Sequence, residues 1–308
     1  MGFDCIVLAK QVPDTANITG QAMKEDGTVN RAALPAIFNP EDLNALELAL
    51  EIAEKHGGSV TLITMGLPQA GELLRQGLYR GSNRAILLTD RRFARADTLA
   101  TSYTLAQAIR TIGRFDLVLC GRQAIDGDTA QVGPQTAEKL GVPQITYVEK
   151  IESLGGGKVV ARRSIGKGYE MMEAPLPCLM TVVGTANEPR EPRAKLLMKF
   201  KNARCPSEVT ERVRAELTPK DGTADEAAVK TEADRRIREL AKKNLVIEEW
   251  KVEDIKADLS RVGGEGSPTK VKEIEFVVIK GAQTRMVEPT DEGMGELLRE
   301  LIGDHTLG

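Results

Sequence analysis

The stretch Gly121–Ala137, GRQAIDGDTAQVGPQTA, collects residue types suited to holding a phosphorylated ligand. It follows an apolar run that ends at Cys120 and opens with a glycine- and acid-containing turn, and the spacing then predicts a helix over 128–140. N–H groups in the first turn of a helix lack intrahelical partners and lie at the positive end of its dipole. Those at Thr129–Val132 would therefore point at an anion. Gly127, Ala130 and Gly133 are small enough for a ligand to approach the backbone. A plainer reading is open on the same residues: Asp128 caps the helix and Gly127 only makes the turn.

Other chemistries find little support. No GxGxxG follows a strand, and no GxxxxGK[ST], HExxH, GxSxG or SGGxDS loop occurs. The two histidines, His56 and His305, stand at a helix end and near the end of the sequence, which gives little basis for a histidine acid/base or metal site. Cys5, Cys120, Cys178 and Cys205 are far apart and form no CxxC, so a zinc or iron–sulfur centre is not expected, and reduced cysteines point to a cytoplasmic protein. The pattern suggests a nucleotide binder whose chemistry is carried by a cofactor.

The elements that must position this loop are legible as hydrophobic pattern. Phe3–Ala9, Ser59–Met65, Ala85–Thr89, Leu117–Cys120 and Ile145–Val148 read as two-sided apolar strands. Helices are predicted at 40–56, 68–79, 98–111 and 128–140. The first has Asn39 as N-cap, Pro40 at its first position, Glu41 and Asp42 in its first turn, and Leu43, Leu46, Leu50 and Ala53 on one face. This rhythm predicts a doubly wound, mostly parallel α/β sheet. Such sheets bind ligands beyond the carboxyl ends of their strands, which also brings in Leu8–Lys10 and Thr64–Pro68. Residues 14–38 read as a loop or hairpin turning at Asp26-Gly27. Beyond 148 the segments 150–154, 159–164 and 169–172 alternate like an antiparallel hairpin region, and Leu176–Val183 returns to the sheet. Residues 187–215 show little periodicity, and 223–243 read as a solvated or partner-facing helix. A strand at Glu275–Ile279 and an amphipathic helix over 292–302, capped by Thr290 or Asp291, complete the chain.

Composition sets limits. The 308 residues are 41% hydrophobic and 28% charged, enough for a folded core, and with 4% aromatics that core must be aliphatic. Lys+Arg at 42 against Asp+Glu at 45 leaves a net charge of −3, without the basic excess of a nucleic-acid binder. No apolar run reaches the roughly 18 residues of a membrane span, and the start MGFDCIVLAKQVPD reads as a strand, not a signal peptide or myristoylation site.

On VLAKQVPD, FNPEDLNALELAL at 38–50, the loop at 121–137 and TANEPREPRAKLLMKFK at 185–201, the chain resembles the β subunit of electron transfer flavoproteins, well over residues 1–205 and less so beyond. Gly166 stands where an acid is usual in the family's pattern near 160–181, while Arg163, Glu170 and Pro177–Thr181 fit it. The resemblance implies an adenine-nucleotide-binding α/β domain over 1–205, of the architecture shared with universal-stress proteins. It also implies a charged helical segment and extended C-terminal arm over 206–308 that contacts an α subunit in an obligate heterodimer. Simple members bind AMP and resemble DDDCNQTG at this loop. DGDTAQVGP at 126–134 resembles the bifurcating branch, whose pocket holds FAD, uses NADH as donor and sends electrons to the α-subunit FAD and to ferredoxin or flavodoxin.

Carried over residue by residue, the cofactor-binding set is Leu8, Asn39, Pro40, Glu41, Asp42, Met65, Gly121, Arg122, Gln123, Ala124, Ile125, Asp126, Gly127, Asp128, Thr129, Ala130, Gln131 and Val132, with no catalytic residue and no metal ligand. Leu8 and Met65 could equally be core, Asn39 a plain cap, and Arg122 a surface charge. The stretch 187–201 resembles the segment that docks on acyl-CoA dehydrogenases, although Ala194-Lys195 replaces the usual leucine-proline pair. A simple carrier with AMP, serving a membrane quinone reductase, and a universal-stress-type nucleotide sensor are the competing readings.

Overall fold

The computed structural model describes residues 2–14, 35–219, 222–270 and 286–303. The predicted turn at Asp26-Gly27 and strand at Glu275–Ile279 lie outside the described residues. Six of the strands form the parallel body of the main sheet: β1 (Phe3–Leu8), β4 (Gly58–Met65), β5 (Arg84–Leu88), β6 (Leu117–Gly121), β10 (Cys178–Val182) and β11 (Glu248–Trp250). Their order runs β11-β5-β4-β1-β6-β10, followed by the long β7 (Gln144–Gly155) and then β8 (Lys158–Ser164) and β9 (Tyr169–Pro175). β7 runs parallel to β10, whereas β8 and β9 are antiparallel. Two short strands, β2 (Gln11–Pro13) and β3 (Ala36–Phe38), pair separately.

The chain leaves β1 first toward β4 and β5, then crosses back to place β6 on the other side of β1. That reversal puts a crevice between the carboxyl ends of β1 and β6, where Leu8 lies opposite Cys120. Alternate residues of β1 feed two cores. Cys5 and Val7 pack with Leu46, Leu62, Leu74 and Leu119 under α1 (Pro40–His56) and α2 (Gly71–Arg80). Ile6 and Leu8 pack with Ile63, Ile86, Ile109 and Val118 under α3 (Thr98–Ile112) and α4 (Val132–Leu140). Burial on both faces explains the uninterrupted apolar strands.

The structure departs from the sequence reading at several elements of the sheet and arm. The hairpin strand at 150–154 is not separate from Ile145–Val148: β7 is continuous, and its bend falls at Tyr147, a non-glycine residue at φ 59, where the register against β10 shifts. The stretch 187–215, read as aperiodic, forms α5 (Ala194–Phe200) and α6 (Pro206–Leu217), the latter starting with Pro206 and a Cys205–Glu208 capping box. The solvated helix is α7 (Glu226–Lys242), which is not wholly solvated, because Val229 and Ala233 meet Val209 and Val213 of α6. Last, β11 went unrecognised; at three residues it is too short for periodicity, and its pairing with β5 is settled by position. The amphipathic terminal helix is α8 (Asp291–Gly303), with Thr290 Oγ1 accepting from Gly293 N at 3.1 Å.

The α6–α7 pair rests on a small apolar cluster of its own. Val213→Ala removes a side chain that is fully buried there. It is expected to cost about 1–2 kcal/mol locally. Hydrogen exchange should quicken across 206–242 and stay slow in β1, β4 and β6.

Candidate functional site

The predicted site residues converge at the carboxyl ends of β1 and β6, held chiefly by the first turn of α1. Asn39 does not cap that helix with its side chain. It is fully buried, its Nδ2 donates to Gln123 O at 2.9 Å, and its Oδ1 accepts from Ile125 N at 3.1 Å. Two residues of the 121–128 loop therefore hang from one side chain. Pro40 begins the helix. Glu41 accepts from Gln123 N at 3.2 Å and pairs with Arg122 at 3.1 Å.

Asp42 is also buried, at 6% exposure. One carboxylate oxygen accepts from Lys10 N at 2.8 Å and the other from Gly121 N at 2.7 Å, which ties the end of β1 to the end of β6. Gly121 is required there, since a Cβ would come within 2.6 Å of Asp42 Oδ1. Burial raises the Asp42 carboxyl to about 7, against the lowering effect of these two backbone N–H groups and of Asn39.

The loop itself differs from expectation. The helix starts at Val132 and not at 128, with Gln131 as its N-cap residue and no side-chain cap. Asp128 and Ala130 have left-handed backbones, φ 49 and 52, so Thr129–Gln131 is irregular chain and its N–H groups are not those of a helical first turn. The open N–H groups of the helix belong to Val132 and Gly133, since Pro134 has none. Asp128 accordingly caps nothing and accepts from Gln123 Nε2 at 2.8 Å. Gly133 seats α4 tightly on the sheet; a Cβ there would meet Thr181 Cγ2 at 2.8 Å and Cys120 Sγ at 2.9 Å. Gly127, by contrast, faces open space.

Of the remaining residues, Asp126 is bound through both oxygens by Lys10 Nζ at 2.7 and 2.6 Å. Ala124 O accepts from Asp128 N at 3.0 Å, and Gln131 Oε1 accepts from Thr98 Oγ1 at 2.8 Å. Arg122 lies 5.7 Å over the Tyr147 ring, on the β7 side of the crevice. Leu8 is core, at 5% exposure, so it can offer a ligand only its backbone. Met65 lines a neighbouring cleft of about 1070 Å³ at the ends of β4 and β5. Lys10 lies in the strand-end loop that the sequence singles out but outside the carried-over binding set, whereas Thr98 and Tyr147 are brought in by tertiary contacts alone.

A family model described as "Electron transfer flavoprotein domain" matches residues 26–205. The chain is 37% identical over 98% of its length to the electron transfer flavoprotein subunit beta of Clostridium acetobutylicum, covering 99% of that protein. It is 50% identical over 60% of its length to the caffeyl-CoA reductase-Etf complex subunit CarD of Acetobacterium woodii, covering 70% of it, and 37% identical over 96% of its length to protein FixA of Sinorhizobium fredii, covering 91% of it. The chain belongs to the electron transfer flavoprotein family, among its β subunits.

The donor set suits a phosphorylated nucleotide. Exposed Gly127, Asp128 and Thr129 border a turn of left-handed residues, and the helix end behind them carries no side-chain cap. No His/Cys/Asp/Glu group able to hold a metal occurs among the described residues, and no helix there is long and apolar enough to cross a membrane.

The raised Asp42 carboxyl has a consequence for stability. A folded value near 7 against an ordinary 3.8 means that the folded chain holds this proton more tightly than the unfolded chain does. Its contribution to stability is complete below pH ~4 and is lost as pH rises through ~7. Asp42→Asn should flatten that part of the pH–stability curve while costing about 1–3 kcal/mol, because one backbone N–H loses its acceptor. Urea midpoints measured from pH 4 to 8 would check both effects.

Proposed function

We propose that this chain is the β subunit of a two-flavin electron transfer flavoprotein that holds FAD at the carboxyl ends of β1 and β6. The observation that carries the reading is the loop DGDTAQVGP at 126–134: a small-residue stretch, following the 122–125 segment that hangs from Asn39 and Glu41, that presents exposed Thr129 and the open N–H groups of α4. Gly127 and Thr129 leave room and a hydroxyl beside a diphosphate. In this reading FAD supplies the hydride and single-electron chemistry that side chains lack, with NADH as donor.

The chain's own residues bind and orient. Val132 and Gly133 offer N–H donors to the diphosphate, Asp126 and Asp128 hold the loop or the ribose hydroxyls, and Asp42 keeps the two strand ends at a fixed separation. Residues 1–205 act as the nucleotide-holding unit and 206–308 contact the α subunit, which carries the second FAD. The relative named for a caffeyl-CoA reductase-Etf complex supports an acyl-CoA dehydrogenase-type partner, for which α5 with its exposed Met198 is the docking element, and ferredoxin or flavodoxin serves as the low-potential acceptor. Four buried free cysteines agree with a cytoplasmic setting.

The test is to coexpress the chain with its α subunit, release the ligands and count them. Two FADs and no AMP per heterodimer are expected; one FAD and one AMP would overturn the two-flavin reading in favour of a simple carrier. In the same complex Asp128→Ala should lower nucleotide retention severalfold while circular dichroism stays unchanged, and full retention would remove Asp128 from the site.

A further inference from the structure

The bend of β7 puts an aromatic side chain where glycine is the ordinary choice. Two residues of β7, Thr146 and Tyr147, stand opposite Thr181 of β10, because the register passes from Ile145 against Met180 to Val148 against Val182. The added residue is Tyr147, at φ 59, the one non-glycine residue with a left-handed backbone inside a strand among the described residues. A Cβ in that conformation crowds the neighbouring carbonyl, which is why such a bulge favours glycine. Neighbouring groups hold the strain in place. Tyr147 N donates to Thr181 Oγ1, and Arg163 donates to Thr146 O and to Thr146 Oγ1, each at 3.0 Å.

The bulge also decides where the ring goes. Ile145 and Val148 keep their places in the core, whereas Tyr147 falls out of the alternation and leaves its side chain 38% exposed. It belongs to neither apolar core of the sheet. Its ring lies on the β7 side of the crevice, with Arg122 at 5.7 Å, near the limit for a cation–π contact, and Arg122 is held in turn by Glu41 at 3.1 Å. Thr181, buried beneath, connects this ring to α4: its hydroxyl accepts from Tyr147 N, and its methyl would meet a Cβ on Gly133 at 2.8 Å. One threonine thus stands between Tyr147 and the open N–H groups of Val132 and Gly133. A strained aromatic residue that the core does not use, placed beside those groups, is what a ligand contact requires.

We propose that Tyr147 is a specificity-determining residue of the nucleotide site, its ring backed by Arg122 and facing the isoalloxazine of FAD. Sheet order carries the choice of ring. β4 and β1 lie on one side of β6, and β10 and β7 on the other. An adenosine half at the ends of β1 and β4, beside Leu8 and Met65, leaves the β7 side to whatever follows the diphosphate. AMP has nothing there, whereas FAD continues into a second planar ring system that an offset aromatic partner favours. The inference rests on the two-flavin reading.

The test compares the heterodimer of parent chain and α subunit with Tyr147→Phe, Tyr147→Asn and Tyr147→Gly. Asparagine and glycine accept a left-handed backbone, so the ring is removed while the bulge is kept. The second FAD should leave these two variants about three- to tenfold faster on desalting, and the phenylalanine variant within about twofold of the parent. A phenol ring against a flavin quenches its emission by electron donation and a plain benzene ring does not, so emission should rise severalfold in all three. Parent-like release from the asparagine and glycine variants, release from the phenylalanine variant as fast as theirs, or unchanged emission throughout would overturn the proposal. Two FADs in the parent with any of these results would remove Tyr147 and keep the two-flavin reading; one FAD and one AMP in the parent would discard that reading and the proposal with it.

Discussion

The Asp42 carboxylate stands between two strand ends that the chain separates by more than a hundred residues, accepting Lys10 N with one oxygen and Gly121 N with the other. A parallel sheet leaves the backbone groups beyond its last rung without strand partners, and at the switch point two such ends face each other across a gap. The two oxygens of one buried carboxyl group satisfy both at once. The arrangement requires α1 to begin at this spot, Gly121 to lack a side chain, and Asn39 and Glu41 to lie within reach of the loop that follows. The placement of the 121–132 loop follows from it.

α1 extends the same logic along its length. Its first turn carries the 121–132 loop, and its later polar residues hold the segment that leads into α5. Asn44 donates to Asn187 O at 2.8 Å, and Glu47, at 6% exposure, pairs with Arg190 at 2.8 Å. Glu54 accepts from Arg190 and Arg193, which hold its carboxyl down to about 2. One helix thus positions both the proposed cofactor loop and the proposed docking element, and the contacts of Asn44 and Glu47 are buried and costly to break singly. On the opposite face Gly133 lets α4 sit close on β6 and β10, so that its open end lies level with the turn before it.

The arm beyond residue 205 is tied to the sheet by fewer contacts. β11 adds a three-residue rung to β5, supported by the Arg84–Glu248 pair at 2.6 Å, and the strap at 258–269 clasps the loop after β5. Both attachments fall at the carboxyl ends of strands, the side that carries the candidate sites, so the arm shapes the clefts there as well as extending away from them.

Residue pattern alone determined much of this protein. Two-sided apolar runs specify buried parallel strands, and Pro40 followed by Glu41 and Asp42 marks the start of α1 correctly because proline and acidic residues favour a helix's first turn locally. The small and acidic residues of the 121–137 loop were likewise visible beyond the strand that ends at Cys120, and the family resemblance gave them their meaning. Tertiary structure decided what these residues touch. Asn39 is legible as a helix-start residue beside the pocket, but only the fold shows that its side chain serves a loop more than eighty residues away. The start of α4 moved to Val132 because Asp128 and Ala130 adopt left-handed backbones that a helical register does not reveal. β11, Tyr147 and the strap across 91–97 depend on neighbours distant in sequence, and contacts of that kind leave no periodic trace along the chain.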